Sequence, residues 1–229
     1  NGVKEIYLPN IDAGSIPSML HMTKAFPSVC FPMLGLHPTD VKDDYADQLK
    51  QIFVDIQEVK PIAIGEIGID LYWDKTFLTN QIIAFEQQLQ ISLDLDLPVV
   101  IHARESFSEI FNVLENFRSV PLKGVFHAFT GSMHEFEKIV SLGDFVVGIG
   151  GIVTFKNSGL DNTVAQIPLE KIVLETDAPF LTPVPYRGKR NESSYLVHVA
   201  KKIAEVKQID FEKVCQTTTR TAKKVFKTY

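Results

Sequence analysis

Apolar and polar positions along this chain follow two periods. Short stretches of period two read as strands, and longer ones with apolar residues three and four apart read as helices. Taken in order, the strands are predicted at residues 3–8, 29–36, 61–67, 97–101, 124–126, 145–149 and 171–174. The helices are predicted at 15–25, 44–57, 76–95, 107–117, 133–142, 162–167, 194–206 and 210–227. In the helix at 76–95, Phe77, Ile82, Ile83, Phe85 and Leu89 make the apolar face. The result is seven strands, each followed by a helix. Such alternation predicts a parallel sheet with helical crossovers.

The third strand belongs to the run Ile62-Ala63-Ile64-Gly65-Glu66-Ile67-Gly68-Ile69-Asp70. It reads as a buried strand ending in a carboxylate flanked by glycines. Desolvating an acid there is costly unless a cation or hydrogen-bond donors lie near it. Other strand ends are chemically competent as well: His37, His102, His127 and Asp177. An open doubly wound sheet concentrates its ligands at one switch point. A (β/α)8 barrel gathers every strand end around one mouth. No glycine-rich phosphate fingerprint follows the first strand, so the α/β fold expected is the TIM (β/α)8 barrel. A barrel needs an eighth strand, and the most economical place for it is a first strand upstream of Asn1.

Composition narrows the function. The 229 residues are 45% hydrophobic and 22% charged, ordinary for a single globular domain over 1–229. The net charge of −5 supplies no global basic field, so nucleic acid would be met through a local patch or bound cations. No apolar run is long enough to cross a bilayer, and no membrane partner is expected. Cys30 and Cys215 lie far apart in apolar surroundings and read as free thiols of a reducing, cytoplasmic compartment. A monomer is expected.

A single histidine at a strand end is more often structural than a ligand. Five polar groups on successive strand ends are a different matter. His102 and His127 offer nitrogen, and Glu66 and Asp177 offer oxygen, a mixture suited to zinc, manganese, iron or, less well, magnesium. Arg104, expected at a strand-to-loop turn, can reach a phosphate bidentately or form a surface ion pair with Glu105 or Glu109. The long loop at 178–191 carries Arg187, Lys189 and Arg190 at the same rim, and loops of that length are usually functional. Tyr72 and Trp73 follow Glu66 and can stack a base or pack under a loop.

Six motifs occur in one order: Gly-Leu-His37-Pro, Gly-Glu66-Ile-Gly-Ile-Asp70, Ile-His102-Ala-Arg104, His127-Ala-Phe-Thr-Gly131, Glu175-Thr-Asp177-Ala-Pro and Arg187-Gly-Lys-Arg-Asn-Glu192. Together they resemble the TatD-like metal-dependent deoxyribonucleases over essentially the whole chain. The resemblance implies a barrel of the metal-dependent hydrolase superfamily with one or two divalent ions (Mg, Mn or Zn). It implies exonucleolytic hydrolysis of phosphodiesters in DNA. It makes Glu66 a metal bridge, His102 and His127 ligands of one metal, and Asp177 a ligand of the other. It also makes Glu66 and Asp177 the expected catalytic carboxylates, with Asp177 orienting or deprotonating the attacking water. His37, Arg104, Tyr72 and Arg190 are expected to bind the substrate, His37 and Arg104 at phosphate oxygens. The family's opening His-x-His pair is absent from the chain and is expected upstream, on the eighth strand. Two other readings use the same residues: a metal-dependent amidohydrolase or esterase on a small molecule, and a non-catalytic truncated barrel.

Overall fold

In the computed structural model of the chain, residues 2–228 are described, and Asn1 and Tyr229 lie outside them. The chain forms two compact units. The first holds Lys4–Gly124 with 142–144, and the second holds Val125–Ser141 and the chain from Phe145 onward.

The first unit repeats one motif. It runs β1 (Ile6–Pro9), α1 (Ile16–Ala25), β2 (Cys30–Leu34), α2 (Tyr45–Val59), β3 (Ala63–Asp70), α3 (Leu78–Asp94), β4 (Val99–Arg104) and α4 (Phe107–Glu115). The strands lie in the order β1-β2-β3-β4, and each pair is parallel. A parallel sheet covered by crossover helices is buried on both sides. Ile64, Ile67, Ile69, Val99 and Ile101 are accordingly all inaccessible to solvent.

Two expectations are corrected here. The third strand does not stop at Ile67 but continues to Asp70, because Ile67 and Ile69 keep the apolar alternation going. Glu66 therefore lies inside the strand rather than at its end. The register against β4 shifts between Gly65 and Ile67, so Glu66 occupies an irregularity that re-aims its side chain. Gly68 is required next to it. Its φ is +137°, and a Cβ there would stand 2.1 Å from the carbonyl oxygen of His102.

The buried face of α3 also differs from the expected one. Phe85 and Leu89 are buried as expected, whereas Ile82 and Ile83 are half-buried. Gln81, Ala84, Gln88 and Ser92 complete the inward face. Buried amides are tolerated only when fully bonded. Gln81 accepts from the Asp70 N–H at 2.9 Å and donates to the Asp70 carbonyl at 3.2 Å. Gln88 accepts from the Leu36 N–H at 2.7 Å and donates to the Leu36 and Ala84 carbonyls. The helix thereby holds the backbone just before His37 and at the end of β3. Asn10 does the same for Gly35, accepting from its N–H and donating to its carbonyl, each at 2.8 Å.

β5 (Lys123–His127) leads the chain into the second unit. There follow α5 (Met133–Leu142), β6 (Asp144–Ile149), α6 (Leu160–Gln166), β7 (Ile172–Leu174), α7 (Leu196–Lys207) and α8 (Phe211–Phe226). β6 and β7 pair in parallel, Val147 opposite Ile172. The two closing helices lie against each other, and α8 also lies against β7. Among the described residues no helix is long and apolar enough to cross a membrane.

Candidate metal centre

Three donor side chains meet in the first unit. His37 follows β2, Glu66 stands in the irregular part of β3, and His102 is on β4. One ligand atom from each lies within 4.8 Å of the other two, and all three residues are half-buried. His37 Nε2 is 3.5 Å from Glu66 Oε2, and the His37 and His102 rings meet edge to face at 4.6 Å. A carboxylate between two imidazoles, partly shielded from water, fits a divalent cation of the zinc or manganese type. The sequence reading set His37 apart as a phosphate-binding residue. The geometry places it with Glu66 and His102.

Asp70 was not singled out as a site residue, and it organises the group. It is 2% exposed. Its Oδ2 lies 2.8 Å from His102 Nε2, while Oδ1 accepts from the backbone N–H of Tyr72 at 3.0 Å and of Trp73 at 3.4 Å. Burial pushes the carboxyl pKa up. The bond to His102, the Tyr72 N–H, the His102 charge and the Trp73 N–H outweigh it and hold the pKa below the usual value. A carboxylate behind a histidine fixes the ring's orientation and leaves the other nitrogen for a cation. Its acid character and position two residues past Gly68 were the only available signal, and both are equally ordinary in a turn.

Arg104 is the exposed last residue of β4, and among the described residues no ion pair joins it to Glu105 or Glu109. Its guanidinium lies over the Tyr72 ring at 3.7 Å from the centroid.

The second unit brings together His127 and Asp177. His127 stands between two carboxylates, with Nδ1 3.1 Å from Glu175 Oε2 and Nε2 3.4 Å from Asp177 Oδ1. The other Glu175 oxygen accepts from the Ala128 N–H at 2.8 Å. Ala128 and Asp177 both have left-handed backbone, with φ of 46° and 55°. Such strain persists where surrounding structure over-determines it and gathers at functional sites. Glu175 also escaped the sequence reading as a site residue, although it stands two positions before Asp177. The room it occupies comes from Gly148, where a Cβ would fall 1.9 Å from Glu175 Oε2. Arg190 is exposed on the loop after Asp177.

The family model described as TatD related DNase matches residues 1–227. The chain belongs to that family. A metal-dependent hydrolase of Bacillus subtilis (strain 168), YabD, otherwise uncharacterized, is 34% identical over 98% of this chain and 88% of its own. The 3'-5' ssDNA/RNA exonuclease TatD of Pectobacterium atrosepticum is 32% identical over 99% of this chain and 89% of its own. Among solved structures, the TatD homolog YJJV from Escherichia coli K12 superposes with a TM-score of 0.92 at 26% identity. That match covers 100% of this TatD-family chain and 88% of the other. The expected α/β barrel class therefore holds for the TatD fold seen here. As a member of this family, the chain is a metal-dependent hydrolase.

Proposed function

We propose that the chain is a divalent-metal-dependent phosphodiesterase that cleaves DNA exonucleolytically. The observation that carries this reading is the donor group His37, Glu66 and His102, with Asp70 fixing the His102 ring. The similarity to a relative named as a 3'-5' ssDNA/RNA exonuclease supports the substrate class. The two free cysteines, Cys30 buried, support a reducing, cytoplasmic setting.

In this reading Glu66 and His102 hold a cation, and His37 either joins them or turns to a phosphate oxygen. The bound cation supplies positive charge at the scissile phosphate and lowers the cost of ionising a water. His127 and Asp177 are proposed as ligands as well, with Glu175 fixing the His127 ring as Asp70 fixes His102. Asp177 Oδ1 takes the proton of an attacking water. Arg104, Tyr72 and Arg190 contact the substrate, the two arginines at phosphate oxygens. Glu66 supplies the anionic charge that keeps a divalent ion among neutral imidazoles.

The test is a thermal scan with and without Mn2+ or Zn2+, paired with cleavage of an end-labelled single-stranded oligomer. A metal-dependent rise in Tm and metal-dependent cleavage are expected, because a ligand of the native state raises its stability. Glu66→Gln keeps the side chain's volume and removes its charge, and it should abolish cleavage while the metal-free Tm stays near native. No stabilisation by either metal would favour the non-catalytic reading. Stabilisation without cleavage of any nucleic acid would favour a small-molecule hydrolase.

A further inference from the structure

The segment after Asp70 leaves the two largest aromatic rings of the region in solvent. Trp73 is 71% exposed and Tyr72 49% exposed. Packing under a loop, the ordinary role for such a pair, is not what they do. Their rings meet edge to face at 4.8 Å, and the Arg104 guanidinium covers Tyr72 at 3.7 Å and approaches Trp73 at 5.5 Å. The segment is held in place, since Asp70 Oδ1 accepts both the Tyr72 and the Trp73 N–H. The same carboxylate holds His102 through its other oxygen. One buried side chain therefore sets the distance between the exposed rings and the donor group His37, Glu66 and His102.

We infer that Trp73, with Tyr72 and Arg104, is a stacking platform for one unpaired nucleobase of the substrate strand. An exposed indole offers a flat apolar face of the size of a base, and any base will stack on it. The Arg104 guanidinium, a planar group edged with N–H donors, sits over the Tyr72 ring at 3.7 Å from its centroid. That edge suits the phosphate of the stacked nucleotide. A base inside a duplex has both faces covered by its neighbours, so the platform takes single strands and frayed ends. This inference takes its substrate chemistry from the phosphodiesterase reading.

Trp73 is the single tryptophan of the chain, so indole fluorescence reports on the platform alone. The native protein is titrated in EDTA, where no hydrolysis occurs, with three probes. They are an oligothymidylate, an abasic oligomer of the same length and a hairpin duplex closed at both ends by non-nucleotide linkers. Quenching by the oligothymidylate only is the expected result. Equal quenching by the abasic oligomer, or by the closed hairpin, would overturn the inference. Binding is then followed by anisotropy of a labelled oligothymidylate. Trp73→Ala should weaken it roughly ten- to a hundredfold, the usual loss for one stacked base, and Trp73→Phe should restore most of it. Unchanged affinity in Trp73→Ala would also overturn the inference. Trp73 is exposed and its truncation leaves the core untouched, which a melting curve of each variant checks. The two readings fail separately. Cleavage with Mn2+ but no base-dependent quenching removes the platform alone. Base-dependent quenching without cleavage under any divalent metal removes the phosphodiesterase reading alone.

Discussion

Replacing Asp70 with asparagine keeps the side chain's shape and removes one charge and one acceptor oxygen. The native carboxylate satisfies three groups, His102 through Oδ2 and the Tyr72 and Trp73 N–H through Oδ1. An amide has a single acceptor oxygen and cannot serve both sides. If that oxygen stays on the turn, the NH2 faces His102, which must then present an unprotonated Nε2. The ring proton moves to the other nitrogen, the one a cation needs. Losing such a support typically weakens metal binding 10–100-fold, about 1.4–2.7 kcal/mol. At a metal concentration 100 times the native Kd, the native protein gains about 2.7 kcal/mol from the metal. A hundredfold weaker variant gains only about 0.4 kcal/mol. If the oxygen turns to His102 instead, two backbone donors lose their acceptor, and the metal-free protein is weakened by about 1–3 kcal/mol. Urea unfolding with and without Mn2+ separates the two cases. A variant with native metal-free stability and a native metal-induced gain would refute the role given to Asp70.

Glu66→Gln, set out above, should lose cleavage and keep its metal-free Tm. Arg104→Ala should leave the metal-induced Tm shift at its native size and weaken oligomer binding, as read by anisotropy; loss of both together would show that the side chain supports the donor group. Gly148→Ala places a methyl group against Glu175 Oε2. It should cost about 1–3 kcal/mol in urea unfolding, as overpacking does, and release His127 from Glu175; native stability would show that Glu175 is not confined. Glu135 accepts the Ser132 hydroxyl and, at 2.8 Å, the Ser132 N–H before α5. The Ser132 hydroxyl lowers its pKa from 4.5, burial opposes this, and the Ser132 N–H adds to the lowering. A lowered folded-state pKa contributes stability above the ordinary value and loses it as pH falls through the folded one. Glu135→Ala should therefore cost ~0.5–1 kcal/mol at pH 7, and the difference should close as the pH falls below 4.5. A difference constant down to pH 3 would contradict that account.

The hydrophobic pattern alone determined the alternation of strands and helices, since burial of a face at period two or near 3.6 is a local property of the chain. α5 at Met133–Leu142 and the run before His102 were legible in that way. The motif order likewise gave the family, because the motifs around His37, Glu66, His102, His127, Asp177 and Arg187 are contiguous stretches of sequence. What the pattern left open was decided by partners distant in sequence. Gln81 and Gln88 turn inward, where Asp70 and Leu36 supply the backbone N–H and C=O that each amide bonds at once. Gln88 and Leu36 are 52 residues apart, His127 and Glu175 are 48 apart, and His102 and Asp70 are 32 apart. The same holds for the aim of Glu66, which stands at a register shift against β4 that no local signal records. Whether an acid is a cap, a ligand or a support depends on the donors that face it. Those donors are set by tertiary structure, because desolvating a polar group is tolerable only where the fold brings it a partner.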